Sequence, residues 1–304
     1  MSLDPEEEYG TWEPLDHLSH SSLSMLARCP YAWMQRYLMG VSSPPSGAMH
    51  LGTAAHAALE AANQRYLAAG EFLTPESAIN VFRMAWDEGE ARFARLGAPM
   101  EWRNEHAPTV QEQGRRLLTL YLQRPFVPAA VEETVVRPIQ EIYGTKYIKD
   151  FVARIDLRTV DDQIGDFKFT TKKKSQGEVD LDLQPFAYAF ALDRPIDLCF
   201  IQMCRSKTDV KDPFSNLRRE DAWTRRTAAD IGWYMEQFMP GLLLTAETAL
   251  DIIYSDWGDD LSWRNDRDTV QAVHRLFPAV PNWACNSFCS YRREDMCRLR
   301  LKTG

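Results

Sequence analysis

The stretch that decides the fold is RIDLRTVDDQIGDFK, residues 154–168. β-branched and aromatic residues on both sides of an Asp-Asp turn signal at 161–162 predict two neighbouring antiparallel strands. In that arrangement Asp156 and Asp166 approach each other near one end of a sheet, and Lys168 projects from the same face as Asp166. Two carboxylates that converge beside an ammonium suit phosphodiester cleavage, since their oxygens bind Mg²⁺ or Mn²⁺ while the lysine orients a water molecule or offsets charge.

The alternative is that these charges are solvated residues at strand ends, as most Asp-x-Lys triplets in strands are. The apolar neighbours favour a site at the edge of a core instead. Ile155, Leu157, Ile164 and Phe167 predict strands that pack against other layers.

The chain of 304 residues divides into three regions by pattern, without an internal repeat or an interdomain linker. Residues 1–130 are predicted to be helical, residues 131–210 to form an α/β core with a strand meander, and residues 211–304 to be helical with a basic, cysteine-rich tail. We expect a strand at 197–204 and a return to helix over 218–250. One integrated domain, an α/β core inside a helical shell, is preferred to two independent domains.

Three further polar residues lie on helices predicted near this core. His56 is surrounded by small residues at 51–60 that let its helix pack closely on another layer. Gln184 and Tyr188 are one turn apart on one face of the helix expected at 182–192. A lone helical histidine is more often a packing residue than a ligand, and the Gln-Tyr pair also fits the polar shoulder of an amphipathic helix. Taken singly, these residues leave both alternatives open.

Taken together and in this order, the motifs resemble the RecB-type branch of the PD-(D/E)XK nuclease superfamily. That branch includes the nuclease domains of bacterial recombination helicase-nucleases and the CRISPR-associated exonucleases. The resemblance spans about residues 19–190 and rests on five motifs, which are a Ser/Leu run ending in Cys29-Pro30, the His56 segment, the Asp156 strand, Asp166-Phe167-Lys168, and Gln184-x-x-x-Tyr188. It implies an α/β, restriction-endonuclease-like fold, in which helices flank a mixed central sheet.

The resemblance also implies roles for these residues. The ligands of a Mg²⁺ or Mn²⁺ ion would be His56, Asp156, Asp166 and the backbone carbonyl of Phe167. The catalytic lysine would be Lys168, and the neighbouring helix would complete the catalytic set with Gln184 and Tyr188. A glutamate on the strand before Asp156 often assists in this superfamily. The sequence does not choose among three candidates, which are Glu132, Glu133 and Glu141.

The six cysteines separate into two groups. Members of that branch often carry a four-iron, four-sulfur (4Fe-4S) cluster, held by one cysteine before the core and three after it. The resemblance assigns these ligands to Cys29, Cys285, Cys289 and Cys297. The tail spacing is Cys-x3-Cys-x7-Cys where the family usually has Cys-x2-Cys-x5-Cys, so Zn²⁺ on the same thiolates and unligated thiols are the two alternatives. Cys199 and Cys204, in an apolar run, are predicted core residues.

The formal charge of -8 excludes a protein that coats nucleic acid or membrane with a uniformly basic surface. A local basic run, Lys172, Lys173 and Lys174, is predicted to contact DNA phosphates. No apolar stretch approaches the roughly 20 residues of a membrane span, and the acidic start is unlike a signal peptide. We therefore expect no membrane association and a cytoplasmic location, in a bacterium or in the host cell of a phage.

These expectations combine into a metal-dependent DNA exonuclease that acts on single strands or DNA ends. Recombination, repair, phage replication and CRISPR adaptation would all use the same residues. The chain carries no Gly-x4-Gly-Lys-Ser/Thr motif for ATP hydrolysis, so a helicase, a recombinase or a CRISPR integrase is the expected type of partner. The alternatives are an endonuclease of the same fold and a non-catalytic DNA-binding or assembly subunit. The intact Asp156, Asp166 and Lys168 favour catalysis.

Overall fold

A computed structural model describes residues 15–41, 45–95, 97, 100–102, 104–208 and 210–280. In chain order its elements are β1 (His17–Ser19), α1 (His20–Arg28), α2 (Pro30–Tyr37), α3 (Gly47–Ala69), α4 (Pro75–Arg95), α5 (Ala107–Leu122), β2 (Pro128–Pro138), α6 (Gln140–Tyr143), β3 (Asp150–Thr159), β4 (Ile164–Thr170), α7 (Gln176–Asp180), α8 (Leu183–Leu192), β5 (Ile196–Cys204), β6 (Arg218–Arg226), α9 (Ala228–Trp233), a π-helical turn (Tyr234–Phe238), α10 (Met239–Trp257), a 3₁₀ helix (Leu261–Asn265) and α11 (Arg267–Leu276).

Six strands of the described chain form one mixed sheet. β3 lies antiparallel to β2 and β4 and parallel to β1. β4 and β5 are parallel, and β6 is antiparallel to β5. A parallel pair needs a crossover connection, which α7 and α8 supply between β4 and β5.

Helices cover both faces of the sheet because its central strands alternate apolar residues between two cores. On β5, Phe200 packs into a core shared with Phe190 of α8, whereas the next residue, Ile201, packs into a second core shared with Leu117 of α5. The first core joins the sheet to α1, α2, α8, α10 and α11, and the second joins it to α3, α4 and α5. The predicted fold class, a mixed central sheet flanked by helices, is confirmed.

Two predicted elements agree with the structure and one differs. The helix expected at 182–192 is α8, and the strand expected at 197–204 is β5. Residues 218–226, predicted to be helical, instead form β6, and each of them pairs with a residue of β5. Within the described chain no strand pairs with the other edge of β6. Because an outer strand needs no continuous apolar run, the charged sequence RREDAWTRR did not predict it.

Candidate active site

The pairing of β3 opens a gap at the centre of the sheet. β2 occupies one edge of β3 along its length, so β1 and β4 share the other edge. On that edge β1 pairs with residues 150–152 and β4 pairs only with residues 157–158. Gly165 allows this close contact before the strands separate, since a Cβ there would lie 3.1 Å from the side chain of Leu157. Among the described strands, none pairs with residues 153–156 on this edge.

Two side chains take the place of the missing strand pairing. The hydroxyl of Tyr188 donates a hydrogen bond of 2.9 Å to the carbonyl oxygen of Arg154. Asp156 accepts a hydrogen bond of 2.9 Å from the backbone N–H of Phe167. Backbone N–H and C=O groups inside a protein are normally hydrogen-bonded. These two bonds satisfy the carbonyl oxygen of Arg154 on β3 and the N–H of Phe167 on β4, where the two strands do not pair with each other.

Three potential metal ligands meet at this gap from three elements. His56 of α3, Glu132 of β2 and Asp156 of β3 each offer a ligand atom within 4.8 Å of the others. His56 Nε2 lies 3.2 Å from the carbonyl oxygen of Phe167 and donates to it, which leaves Nδ1 as the acceptor nitrogen. That Nδ1 lies 3.6 Å from an oxygen of Asp156. Two lone-pair atoms that face each other at this distance suit a shared cation.

The charges at the gap are crowded and shielded from water. Burial and the nearby Asp166 raise the pKa of Asp156 to about 7. Burial and the carboxylate of Asp156 also raise the pKa of Glu132, and burial lowers the pKa of His56. Desolvated carboxylates that repel one another are stabilised by a cation placed between them.

The structure distinguishes the three glutamates that the sequence left open. Glu132 lies across the β2–β3 pairing from Asp156 and is 13% exposed. Its φ of 48° is in the left-handed region, which costs a non-glycine residue about 1 kcal/mol or more. Glu133 points elsewhere and pairs with Arg158, and Glu141 is an exposed residue of α6. Sequence alternation could not select Glu132, because its position depends on this irregular backbone.

A second group of side chains surrounds Asp166, which is 1% exposed. Gln184 donates to one oxygen of Asp166 at 2.5 Å, and Tyr188 lies 3.3 Å from the same oxygen. Lys168 forms an ion pair of 2.7 Å with the other oxygen. Burial alone would lower the pKa of Lys168, but the carboxylates of Asp166, Asp156 and Asp182 together offset this and the pKa is raised. The lysine is therefore a fixed ammonium beside the two aspartates.

Local structure explains how α8 reaches this position. The side chain of Asp182 accepts a hydrogen bond from the backbone N–H of Gln184 and caps the helix. Gln184 and Tyr188, one turn apart, also bond to each other at 2.8 Å. The structure thus brings together all the residues for which the sequence predicted a divalent-metal or catalytic role.

His20, the first residue of α1, was not predicted to lie at the site. Burial lowers its pKa to about 4, and the charges that act on it include those of Asp182, Lys168 and Asp166. A neutral imidazole therefore lies near the Asp166–Lys168 pair. In the sequence it is one polar residue within a Ser-rich helix start, so no motif or spacing distinguished it.

The predicted DNA-binding lysines already have acidic partners within the chain. Lys172 pairs with Glu178 at 3.4 Å, Lys173 pairs with Glu220 at 2.5 Å, and Lys174 pairs with Asp182. Contact between these lysines and DNA stays a prediction.

The described residues include three of the six cysteines. Cys29 is 8% exposed and separates α1 from α2. Cys199 and Cys204 are buried in β5, as expected of core residues. The other three predicted cluster ligands, Cys285, Cys289 and Cys297, lie outside the described residues.

Comparisons with known proteins bear on the family. No described helix is long and apolar enough to cross a membrane, and no curated protein matches the sequence. One similar solved structure is that of a protein from Eubacterium rectale named as a putative exonuclease. It shares 10% identity with this chain at a TM-score of 0.45, over 100% of this chain and 96% of that one. The family profile of the PD-(D/E)XK nuclease superfamily matches residues 17–298. The chain therefore belongs to the PD-(D/E)XK nuclease superfamily.

Proposed function

We propose that this protein is a metal-dependent DNA exonuclease of the RecB-type branch. The observation that carries the proposal is the junction of two groups at one gap in the sheet. The first group is His56, Glu132 and Asp156, whose ligand atoms lie within 4.8 Å of one another. The second is an ion pair between buried Asp166 and partly buried Lys168. Membership of a nuclease superfamily supports hydrolysis of DNA as the reaction.

The donor set fits Mg²⁺ or Mn²⁺, because carboxylate and carbonyl oxygens suit these ions and one imidazole is compatible with them. The proposed ligands are His56, Asp156, Asp166, the carbonyl oxygen of Phe167 and, in addition, Glu132. A carboxylate oxygen accepts more than one interaction, so the contacts that Asp166 already makes do not prevent it from acting as a ligand. The ion would polarise a phosphoryl oxygen and lower the pKa of a water molecule.

The remaining side chains position these groups. Lys168 holds a positive charge beside Asp166, where it can orient the attacking water or stabilise the charge that develops on the phosphate. Gln184 and Tyr188 fix the orientation of Asp166, and Tyr188 also ties it to the backbone of β3. Because Asp166 is almost fully buried, these contacts hold its carboxylate in one orientation before the substrate binds.

Digestion of two forms of one single-stranded DNA tests the proposal. The full chain, purified anaerobically, is incubated with Mg²⁺ or Mn²⁺ and either end-labelled linear DNA or its covalently closed circle. We expect the linear strand to be degraded from an end and the circle to persist. Equal degradation of both would identify an endonuclease of the same fold. No metal-dependent cleavage of either would support the non-catalytic subunit.

We also propose a 4Fe-4S cluster held by Cys29, Cys285, Cys289 and Cys297. Cys29 directly precedes α2, and α2 packs on the end of α11 through the stacked rings of Trp33 and Phe277, whose centroids are 5.4 Å apart. The described chain ends at Val280, and five residues span at most about 17 Å. Cys285 follows Phe277 by eight residues in the sequence, so the contact between α2 and the end of α11 supports the proposal.

Metal analysis of the anaerobically purified chain distinguishes the cluster from its alternatives. We expect a brown protein with four iron and four sulfide per chain, as the cluster type defines, and loss of both in Cys29→Ser. Cys199→Ser is the matched control, because Cys199 lies in the core of β5. A colourless protein with stoichiometric zinc would contradict the cluster and support a zinc site on the same thiolates.

A further inference from the structure

A second polar cavity lies beyond the strands that carry the proposed active site. It has a volume of roughly 590 Å³ and lies where β4 and β5 end and β6 begins. Its lining is rich in cationic and hydroxyl side chains, which include Thr171, Arg205, Ser206, Lys207, Lys211 and Arg218. None of these residues belongs to the group around the gap in β3.

Buried contacts hold the loop that forms this cavity. The amide of Gln113, a fully buried residue of α5, donates to the carbonyl oxygens of Ser206 and Pro213 at 3.0 and 2.6 Å. Arg205 is 4% exposed and forms an ion pair of 2.5 Å with Glu105. The loop is therefore held to the protein at residues 205–206 and at Pro213, so the cavity is part of the folded structure.

Several polar groups of the cavity lack partners among the residues that the structure describes. Ser206 is only 8% exposed, yet its hydroxyl makes no hydrogen bond. Nε of Arg205 is also buried without a hydrogen-bond partner. Lys207 and Lys211 are exposed and form no ion pair within the described chain. This differs from the basic run after β4, where every lysine has an acidic partner.

A phosphate is the ligand that fits the exposed lysines of this lining, Lys207 and Lys211. It accepts hydrogen bonds from hydroxyls and forms charge-assisted bonds with lysines and arginines. Among the described lining residues one is acidic, Asp212, and it accepts a hydrogen bond from the backbone N–H of Phe214, which orients its carboxylate within its own turn. The carboxylate of Asp212 repels a ligand with several negative charges more strongly than a phosphodiester, which carries only one.

We propose that this cavity binds a backbone phosphate of the DNA strand that is being cut, a proposal that rests on the proposed function. Thr171 follows Lys168 by three residues, which corresponds to about 10 Å along an extended chain. The cavity would therefore hold a phosphate a few nucleotides from the cleaved bond on the same strand. Such a contact fixes how far the strand extends past the active site.

Binding measured without cleavage tests the cavity separately from catalysis. Fluorescence anisotropy of a labelled single-stranded oligonucleotide is recorded in EDTA over a range of salt concentrations. The test variant is Lys207→Ala/Lys211→Ala. The matched control is Arg194→Ala/Arg225→Ala, which removes two positive charges near the start of β5, about 26 Å away along the strand. Ser206→Ala is a third variant that keeps the charge and removes the buried hydroxyl.

We expect the lysine double variant to bind the oligonucleotide about tenfold more weakly and to lower the salt slope by about 0.7 for each lost phosphate contact. In digestion with Mg²⁺ or Mn²⁺ its KM should rise while kcat is unchanged. Ser206→Ala should weaken binding less, and the arginine control should match wild type. Unchanged affinity in the lysine variant, or an equal loss in the arginine control, would overturn the proposal.

The cavity could also bind a free phosphate compound instead of a phosphate of the DNA strand. Inorganic phosphate and a deoxynucleoside monophosphate are the probes for this alternative. If either compound binds wild type and not the lysine variant, while both proteins bind DNA equally, the cavity takes a free phosphate and its assignment to the DNA strand is wrong. Failure of the proposed function gives a different result. Wild type would then cut no DNA with either metal, whatever the binding data show.

Discussion

Replacing Lys168 with Ala is expected to lower kcat for DNA hydrolysis about a thousandfold, in line with the loss of one preorganised charge in an active site. The ammonium is held 2.7 Å from Asp166, and no other lysine or arginine of the described chain forms an ion pair with that carboxylate. Its removal takes away the group proposed to orient water or offset charge on the phosphate. Initial rates on end-labelled single-stranded DNA at saturating Mg²⁺ measure the effect.

The chain provides a matched control for this substitution. Lys146 forms an ion pair of 2.8 Å with Asp251, but both residues are exposed and far along the chain from the gap. A surface pair of this kind contributes about 0–1 kcal/mol to stability, so Lys146→Ala should keep activity within about twofold. Lys168→Arg keeps the charge and reports on its position. Retention of more than a tenth of wild-type activity by Lys168→Ala would remove the lysine from the mechanism.

Replacing Glu132 with Gln is expected to lower the affinity for Mn²⁺ about 10-fold to 100-fold and to lower activity at limiting metal to a similar extent. Its carboxylate lies beside the imidazole of His56 and the carboxylate of Asp156, the two other potential metal ligands. A neutral amide removes one negative charge from this set without changing its shape. Calorimetric titration of Mn²⁺ into the protein reads metal binding directly, independently of DNA cleavage.

The adjacent residue supplies the control for Glu132. Both glutamates lie on β2 and pair with an arginine of β3, Glu132 with Arg154 at 2.6 Å and Glu133 with Arg158 at 2.9 Å. Glu133→Gln should leave the affinity for Mn²⁺ within about twofold of wild type. If both substitutions weaken Mn²⁺ binding equally, the effect comes from net charge, and Glu132 has no special role at the site.

The core of the site could be predicted from the sequence because strands impose a period of two. Asp156, Asp166 and Lys168 stand among apolar residues in two short strands joined by a turn, so their convergence follows from strand pairing. Gln184 and Tyr188 follow in the same way from the helical repeat. Placing His56 required the resemblance, because α3 and β3 are distant in the chain and no local pattern joins them.

The remaining features depend on tertiary structure. Glu132 reaches the site through a left-handed backbone conformation that no residue type at that position signals. β6 was predicted to be helical because an outer strand, rich in charge, has no apolar pattern to reveal it. The cavity beyond β4 and β5 depends on buried Gln113 of α5, whose contacts with the loop span about a hundred residues of chain.

The net charge of -8 also has a local explanation in the structure. Acidic partners neutralise the lysines after β4, while carboxylates gather at the gap in β3. A cation bound at the gap would offset part of the acidic excess where the phosphate must approach. The exposed lysines of the cavity, Lys207 and Lys211, would then supply positive charge further along the bound DNA strand.

The most direct test of the account compares wild type and Asp156→Asn on end-labelled linear single-stranded DNA, each with Mg²⁺, Mn²⁺ or EDTA. Asp156 is the residue that joins β3, β4 and the potential metal ligands. We expect wild type to release short products with either metal and none in EDTA, and the variant to be at least about a thousandfold slower. Equal cleavage by the variant, or cleavage by wild type in EDTA, would contradict it.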